Sequence, residues 1–131
     1  MNNKDIIFRF LDVIHNKQNV AIIEEHIDKN FVGHTADVRG RADIKKVTND
    51  NLTAFPGLKV TIEDQVAEDD LVFTRYTATG NHEGVYRGVE PTGEPVTFTV
   101  VTIHRLADGK ITEGWRVVDR LDIVHQLGAG S

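Results

Sequence analysis

The stretch 96-VTFTVVTIHRLADGKITEGWRVVD-119 decides how this chain folds. Its first part is rich in threonine and valine, side chains that suit a pleated strand. Asp108-Gly109 then supplies the pair favoured at the centre of a tight hairpin. Ile111 begins a return strand, so two long strands lie side by side and antiparallel. With the turn at 107–110, His104 falls opposite residues 113 to 115, on the same face as Phe98, Val100 and Thr102. On the return strand Glu113, Trp115, Val117, Asp119 and Leu121 alternate with Thr112, Gly114, Arg116, Val118 and Arg120. The arginines read as the solvent side. Asp119 is therefore expected to face the interior beside Trp115, and the strand is expected to run on past it.

Upstream of this hairpin the same period of two continues. Leu58, Val60 and Ile62 alternate with polar neighbours in 58–68, and 71–84 is rich in β-branched and aromatic residues. Glu68-Asp69-Asp70 reads as the turn between them, and 88-GVEPTGEP-95 as a Gly/Pro loop. Before Pro56 the period is helical. Ile6, Ile7, Phe10, Leu11 and Ile14 mark one buried face, with Asn2 or Asn3 as cap. A short helix is expected over 19–27, an irregular segment over 30–40, and a third helix from about Ala42 to Phe55, stopped by Pro56-Gly57. Helices followed by long antiparallel strands predict an α+β domain, with a curved sheet wrapped around the helices and a ligand-sized space between.

The bulk composition agrees with one domain spanning 1–131. The chain has 131 residues, 40% hydrophobic and 27% charged. Its formal charge is −5, with acids and bases interspersed, which weighs against nucleic acid or an anionic membrane as partner. There is no cysteine, so disulfides and thiolate chemistry are excluded. No stretch approaches the length of a membrane span and the start lacks the apolar run of a signal peptide, so a cytoplasmic protein is expected.

A carboxylate on an apolar face has its pKa raised by desolvation. That would make Asp119 a stronger base than a surface aspartate, able to return its proton near neutral pH. Two structural alternatives stand beside this one. Asp119 could pair with Arg75, which alternates with Leu71 and Phe73 and so reads as interior, or it could cap a backbone group. None of the six histidines forms an HExxH or H-x-H pair, so no metal site is expected. His104 lies about two pleats from Asp119, within reach through a bound substrate. His15 and His26 read as exposed or at helix ends. No nucleotide loop and no nucleophile elbow is present, and the only serine is Ser131.

Several segments, taken in order, carry a resemblance: 31-FVGH-34, 55-FPGLKVTIED-64, 80-GNHEGVYRGVEPTG-93, 104-HRLADGKITEGW-115, then Asp119 followed by 126-QLG-128. Over nearly its whole length the chain resembles the SnoaL-like polyketide cyclases, a branch of the cone-shaped α+β fold shared with nuclear transport factor 2 and ketosteroid isomerase. Asn81 departs from the threonine more usual there. The resemblance implies a conical pocket closed by a bent sheet and a cofactor-free intramolecular aldol condensation of a polyketide ester. It implies Asp119 as general acid/base and His104 as assistant at the substrate oxygen. On that reading the substrate is a small hydrophobic carbonyl compound. His34, His82, Arg75, Trp115, Phe98, Tyr76 and Phe55 are the candidate substrate-binding residues. The family also implies a homo-oligomer, a dimer or tetramer, for which the partly apolar outer face of the sheet, including Val101, Ile103 and Val118, is the expected surface. Other carbon-acid or hydrolytic chemistry in the same pocket, or ligand holding without catalysis, are the competing readings.

Overall fold

A computed structural model describes residues 1–128. Ser131 lies outside the described residues. Helix α1 (Asn3–Leu11) starts where Asn2 accepts a hydrogen bond from the Asp5 amide at 2.9 Å and Asp5 accepts one from the Asn2 amide at 3.3 Å, a reciprocal capping box. It continues into a π-helical turn, Asp12–Asn16, so the apolar stripe keeps facing inward through Ile14. Helix α2 is short (Ile22–His26), and α3 (Arg41–Ala54) ends ahead of Pro56 as its sequence predicts.

Five strands form one sheet in the order β1-β5-β4-β3-β2. They are β1 (Ile27–Gly33), β2 (Lys59–Glu68), β3 (Leu71–Asn81), β4 (Pro95–Ala107) and β5 (Lys110–Val118). All pairs are antiparallel except β1 with β5, which is parallel. At the β4–β5 turn Asp108 and Gly109 have φ of 52° and 78°, the left-handed pair that a two-residue hairpin requires. Irregularities in register between Ile62 and Asp64, and between Arg105 and Leu106, bend the sheet over the helices. The core fills the concavity between them: Ile7, Ile14, Ile23, Ile27, Phe55, Val72, Val100 and Ile111 are fully buried.

Three expectations are corrected here. The segment 30–40 is not wholly irregular. Residues 27–33 form an edge strand in which only Ile27 and Phe31 are buried, too sparse a pattern to announce itself. The chain after Val118 is not strand but helix α4 (Arg120–Gln126). Val118 packs against the core rather than on the outer face.

Two side-chain amides finish strand edges that no neighbouring strand covers. Gln126 accepts from the Thr97 amide at 2.9 Å and donates to the Thr97 carbonyl at 2.7 Å, beyond the point where β5 stops pairing with β4. Asn16 does the same for Val60 on the outer strand β2, at 2.7 and 3.0 Å. Each replaces a missing ladder rung, and the first of them docks α4 on the sheet. Among the described residues no helix is long and apolar enough to cross a membrane.

Candidate functional site

A cavity of about 90 Å³ opens between the helices and the inner face of the sheet. Apolar side chains make most of its wall: Phe10, Leu11, Ile14, Phe31 and Val38 from one side, with Ile44 and Val47 from α3. The polar groups are few. Thr102 and His104 come from β4, Arg116 from β5, Tyr76 from β3, His15 from the π turn, Thr48 and Asn51 from α3, and Thr35 from just past β1. A largely apolar chamber with a few convergent polar groups is the usual form of a small-molecule site.

The sheet register explains the polar wall. Thr102 stands opposite Arg116 and His104 opposite Gly114. Residues directly opposite on neighbouring strands project from the same face, so Arg116 shares the inner face with Thr102 and His104. Gly114 leaves room there: a Cβ at this position would lie 3.0 Å from the Phe31 ring and 3.5 Å from His104.

His15 donates from Nδ1 to the Leu11 carbonyl at 3.0 Å, which leaves Nε2 as the acceptor of the neutral ring. Burial pushes its pKa down to about 4, the Leu11 bond opposes this, and the Arg116 charge adds to it. Burial likewise pushes His104 down to about 4. Both rings are therefore neutral at neutral pH. His104 Nδ1 and Thr102 Oγ1 are buried without a hydrogen-bond partner. No aspartate or glutamate is among the residues lining this cavity.

A family model described as SnoaL-like polyketide cyclase matches residues 5–127. The chain belongs to the SnoaL-like polyketide cyclase family. Solved structures agree with this assignment. AclR of Streptomyces galilaeus, proposed to be a hydroxylase, is 30% identical with a TM-score of 0.89, over 98% of this chain and 85% of its own. IdmH of Streptomyces antibioticus, proposed to be a polyketide cyclase, is 29% identical with a TM-score of 0.85, over 98% of this chain and 99% of its own. A proposed SnoaL-like polyketide cyclase of Jannaschia sp. CCS1 is 26% identical with a TM-score of 0.86, over 98% and 93% of the two chains. No curated protein matches the chain.

Against this SnoaL-like frame the residues singled out in the sequence divide sharply. His104 and Tyr76 line the cavity as expected. Trp115 contributes to the lining too, but its indole stacks on the His34 ring with centroids 4.7 Å apart. Asp119 does not face the interior. It is exposed at the start of α4, where its carboxylate accepts from the Asp122 amide at 2.9 Å. Backbone capping, one of the structural alternatives, is what occurs. The parity error has a physical origin. Trp115 and Val117 belong to an apolar row on the outer face, with Val117 68% exposed, and an outer apolar row reads in sequence like an inner one.

Arg75 is exposed and pairs with Asp64 at 2.6 Å on that same outer face, while Thr74 and Tyr76 turn inward. His34 is exposed, bound through Nε2 to Glu113 at 2.6 Å, and outside the cavity lining. Glu113 also holds Arg105 at 2.8 Å, and Arg105 reaches Asp70 at 2.7 Å. His82 is fully buried and outside the cavity lining: its Nδ1 accepts from the Thr92 amide at 3.2 Å, anchoring the Gly/Pro loop, while its Nε2 has no hydrogen-bond partner. Phe55 packs against His82, Tyr86 and Phe98 in the core. Phe98 lines only a small neighbouring hollow, which Arg116 also borders.

Sequence reasoning missed His15 and Arg116. The signal for Arg116 was present: the hairpin register that puts His104 opposite Gly114 puts Thr102 opposite Arg116.

Proposed function

We propose that this SnoaL-like protein binds a small, largely apolar carbonyl compound in the cavity and promotes a carbon-acid step there, ring closure by intramolecular aldol addition. The supporting observation is the inner wall itself, where neutral His15 and His104 both line a largely apolar chamber. Similarity alone does not choose the reaction, since the proposed activities of AclR and IdmH differ.

The general base expected at Asp119 is replaced in this reading by His15. Its Nε2 takes a proton from a carbon flanked by two carbonyls, giving an enolate and an imidazolium. The enolate carbon attacks a second carbonyl of the same molecule. The imidazolium then returns the proton to the new alkoxide, so atoms and charge balance. A ring whose basicity is lowered by burial is a weak base, which restricts the reaction to carbons already acidified by neighbouring carbonyls. His104 donates to the substrate oxygen. Holding both reacting ends in one chamber supplies the orientation.

A second reading, ligand holding without turnover, is favoured by the absence of any carboxylate from the cavity wall. Incubation with acyclic 1,3-dicarbonyl compounds bearing a distal carbonyl, with cyclic products resolved by chromatography and mass spectrometry, separates the two. Ring closure that drops about 100-fold in His15→Gln supports catalysis. Binding of the same compounds with no product in the wild type selects the holding reading.

A further inference from the structure

Arg116 is the unassigned group in the cavity. Four other arginines are similarly half-buried, and each has a partner. Arg9 meets Glu25, Arg41 donates to the Ile27 carbonyl, Arg105 holds Glu113 and Asp70, and Arg120 pairs with Asp37. Arg116 alone of these makes no hydrogen bond or ion pair with any described residue. A half-buried guanidinium gives up part of its hydration, and nothing in the protein replaces it.

The surroundings raise the local positive potential further. Arg116 also borders the adjoining hollow with Arg87 and Arg120. Asp37 serves both of those, bonded to Arg120 and 3.6 Å from Arg87. One carboxylate thus serves two guanidiniums beside the hollow that Arg116 borders, and no acid lines that hollow. The lining of the main cavity contributes no acid, and its two histidines are neutral. A cation unpaired in a chamber without anions is complementary to a ligand that brings the anion with it.

We propose that the ligand of this cavity is a carboxylate, an apolar organic acid whose two oxygens are taken by the Arg116 guanidinium while its ring or chain lies against Phe10, Ile14, Phe31 and Ile44. The planar fork of arginine matches a carboxylate through two parallel hydrogen bonds. Size limits the buried part. At roughly 10–15 Å³ per water, the cavity holds about six to nine waters, the bulk of one substituted ring. The inference rests on the reading of this cavity as the ligand site, and not on turnover.

Benzoate and benzamide test it, being alike in size and shape and differing in charge. Their binding is followed by calorimetry and by the amide resonances of Thr102 and Gly114, for the wild type, Arg116→Gln and Arg116→Lys. The wild type should prefer benzoate by about tenfold or more. Arg116→Gln should bring the two within about twofold while leaving benzamide affinity unchanged, and Arg116→Lys should keep part of the preference. Binding of both at these resonances with equal affinity, or a preference that survives in Arg116→Gln, overturns the carboxylate assignment and leaves the site standing. Failure of both to shift the Thr102 and Gly114 resonances overturns the site, and the assignment with it.

Discussion

Thr102 and Arg116 stand directly opposite each other on β4 and β5, on the face that closes over the cavity. That pairing fixes the parity of the whole return strand. Gly114, Arg116 and Val118 go inward, and Trp115 and Val117 go outward. The carboxylate at 119 falls after the last paired residue, where the chain turns into α4.

Stability should therefore depend on pH in a window set by the two cavity histidines. Both have folded-state pKa values depressed to about 4 from 6.5. Between those values the unfolded chain binds more protons than the folded one, so stability is fully present above pH 6.5 and falls as pH drops towards 4. The loss should be on the order of 2–3 kcal/mol per ring. Depressed carboxylates such as Glu113 act in the same direction, but lower in pH. Urea unfolding at pH 7.5 and 5.5 measures the slope, which His104→Phe should roughly halve. A flat profile would mean that these rings protonate freely in the folded protein.

Asp119 should behave as a helix cap. Asp119→Ala removes the acceptor for the Asp122 amide and should cost about 1 kcal/mol, whereas Asp119→Asn keeps a capping oxygen and should be nearly neutral. Neither should change ligand affinity, and Asp119→Asn should keep turnover within a few-fold of wild type. A folded Asp119→Asn protein that had lost turnover would return this carboxylate to the mechanism.

Gly114→Ala should disturb the cavity by steric means alone. The added methyl meets the Phe31 ring at 3.0 Å, closer than two such atoms normally sit. The ring, which lines the cavity, must give way by a few tenths of an ångström. We expect destabilisation of about 1–3 kcal/mol and weaker binding of benzoate and benzamide alike, a pattern distinct from that of Arg116→Gln. Unchanged affinity for both would place the ligand elsewhere.

The fold was legible wherever one rule governed a segment. The Asp108-Gly109 turn set the hairpin, the spacing of Ile7, Phe10 and Ile14 set α1, and Pro56 set the end of α3. The site was legible where inner and outer faces differed in polarity, as on β4 with its row from Phe98 to His104. It was misread on β5, because the outer row holds Trp115 and Val117 while the inner row holds Gly114 and Arg116. A functional interior can be more polar than the surface behind it, and the rule that apolar residues point inward then inverts. Helix α4 was hidden for a related reason. Asp119 was weighed as an acid, although the amide it accepts from, three residues on, marks it as a cap. His15 was passed over because its partner is a backbone carbonyl, which no side-chain motif announces.

The absence of cysteine from the sequence allows a direct test that β5 turns Val117 outward, opposite in parity to Arg116, and that Asp119 stands exposed at the start of α4. Single substitutions Thr102→Cys, Val117→Cys and Asp119→Cys, each assayed for its rate of modification by a thiol reagent in the native state, report each position's access to solvent. Val117→Cys and Asp119→Cys should react at close to the rate of a free thiol. Thr102→Cys, 3% exposed, should react at least about 100-fold more slowly with a reagent too bulky to enter the cavity. Slow modification of Asp119→Cys and Val117→Cys, as slow as that of Thr102→Cys, would contradict this placement and put the carboxylate back inside.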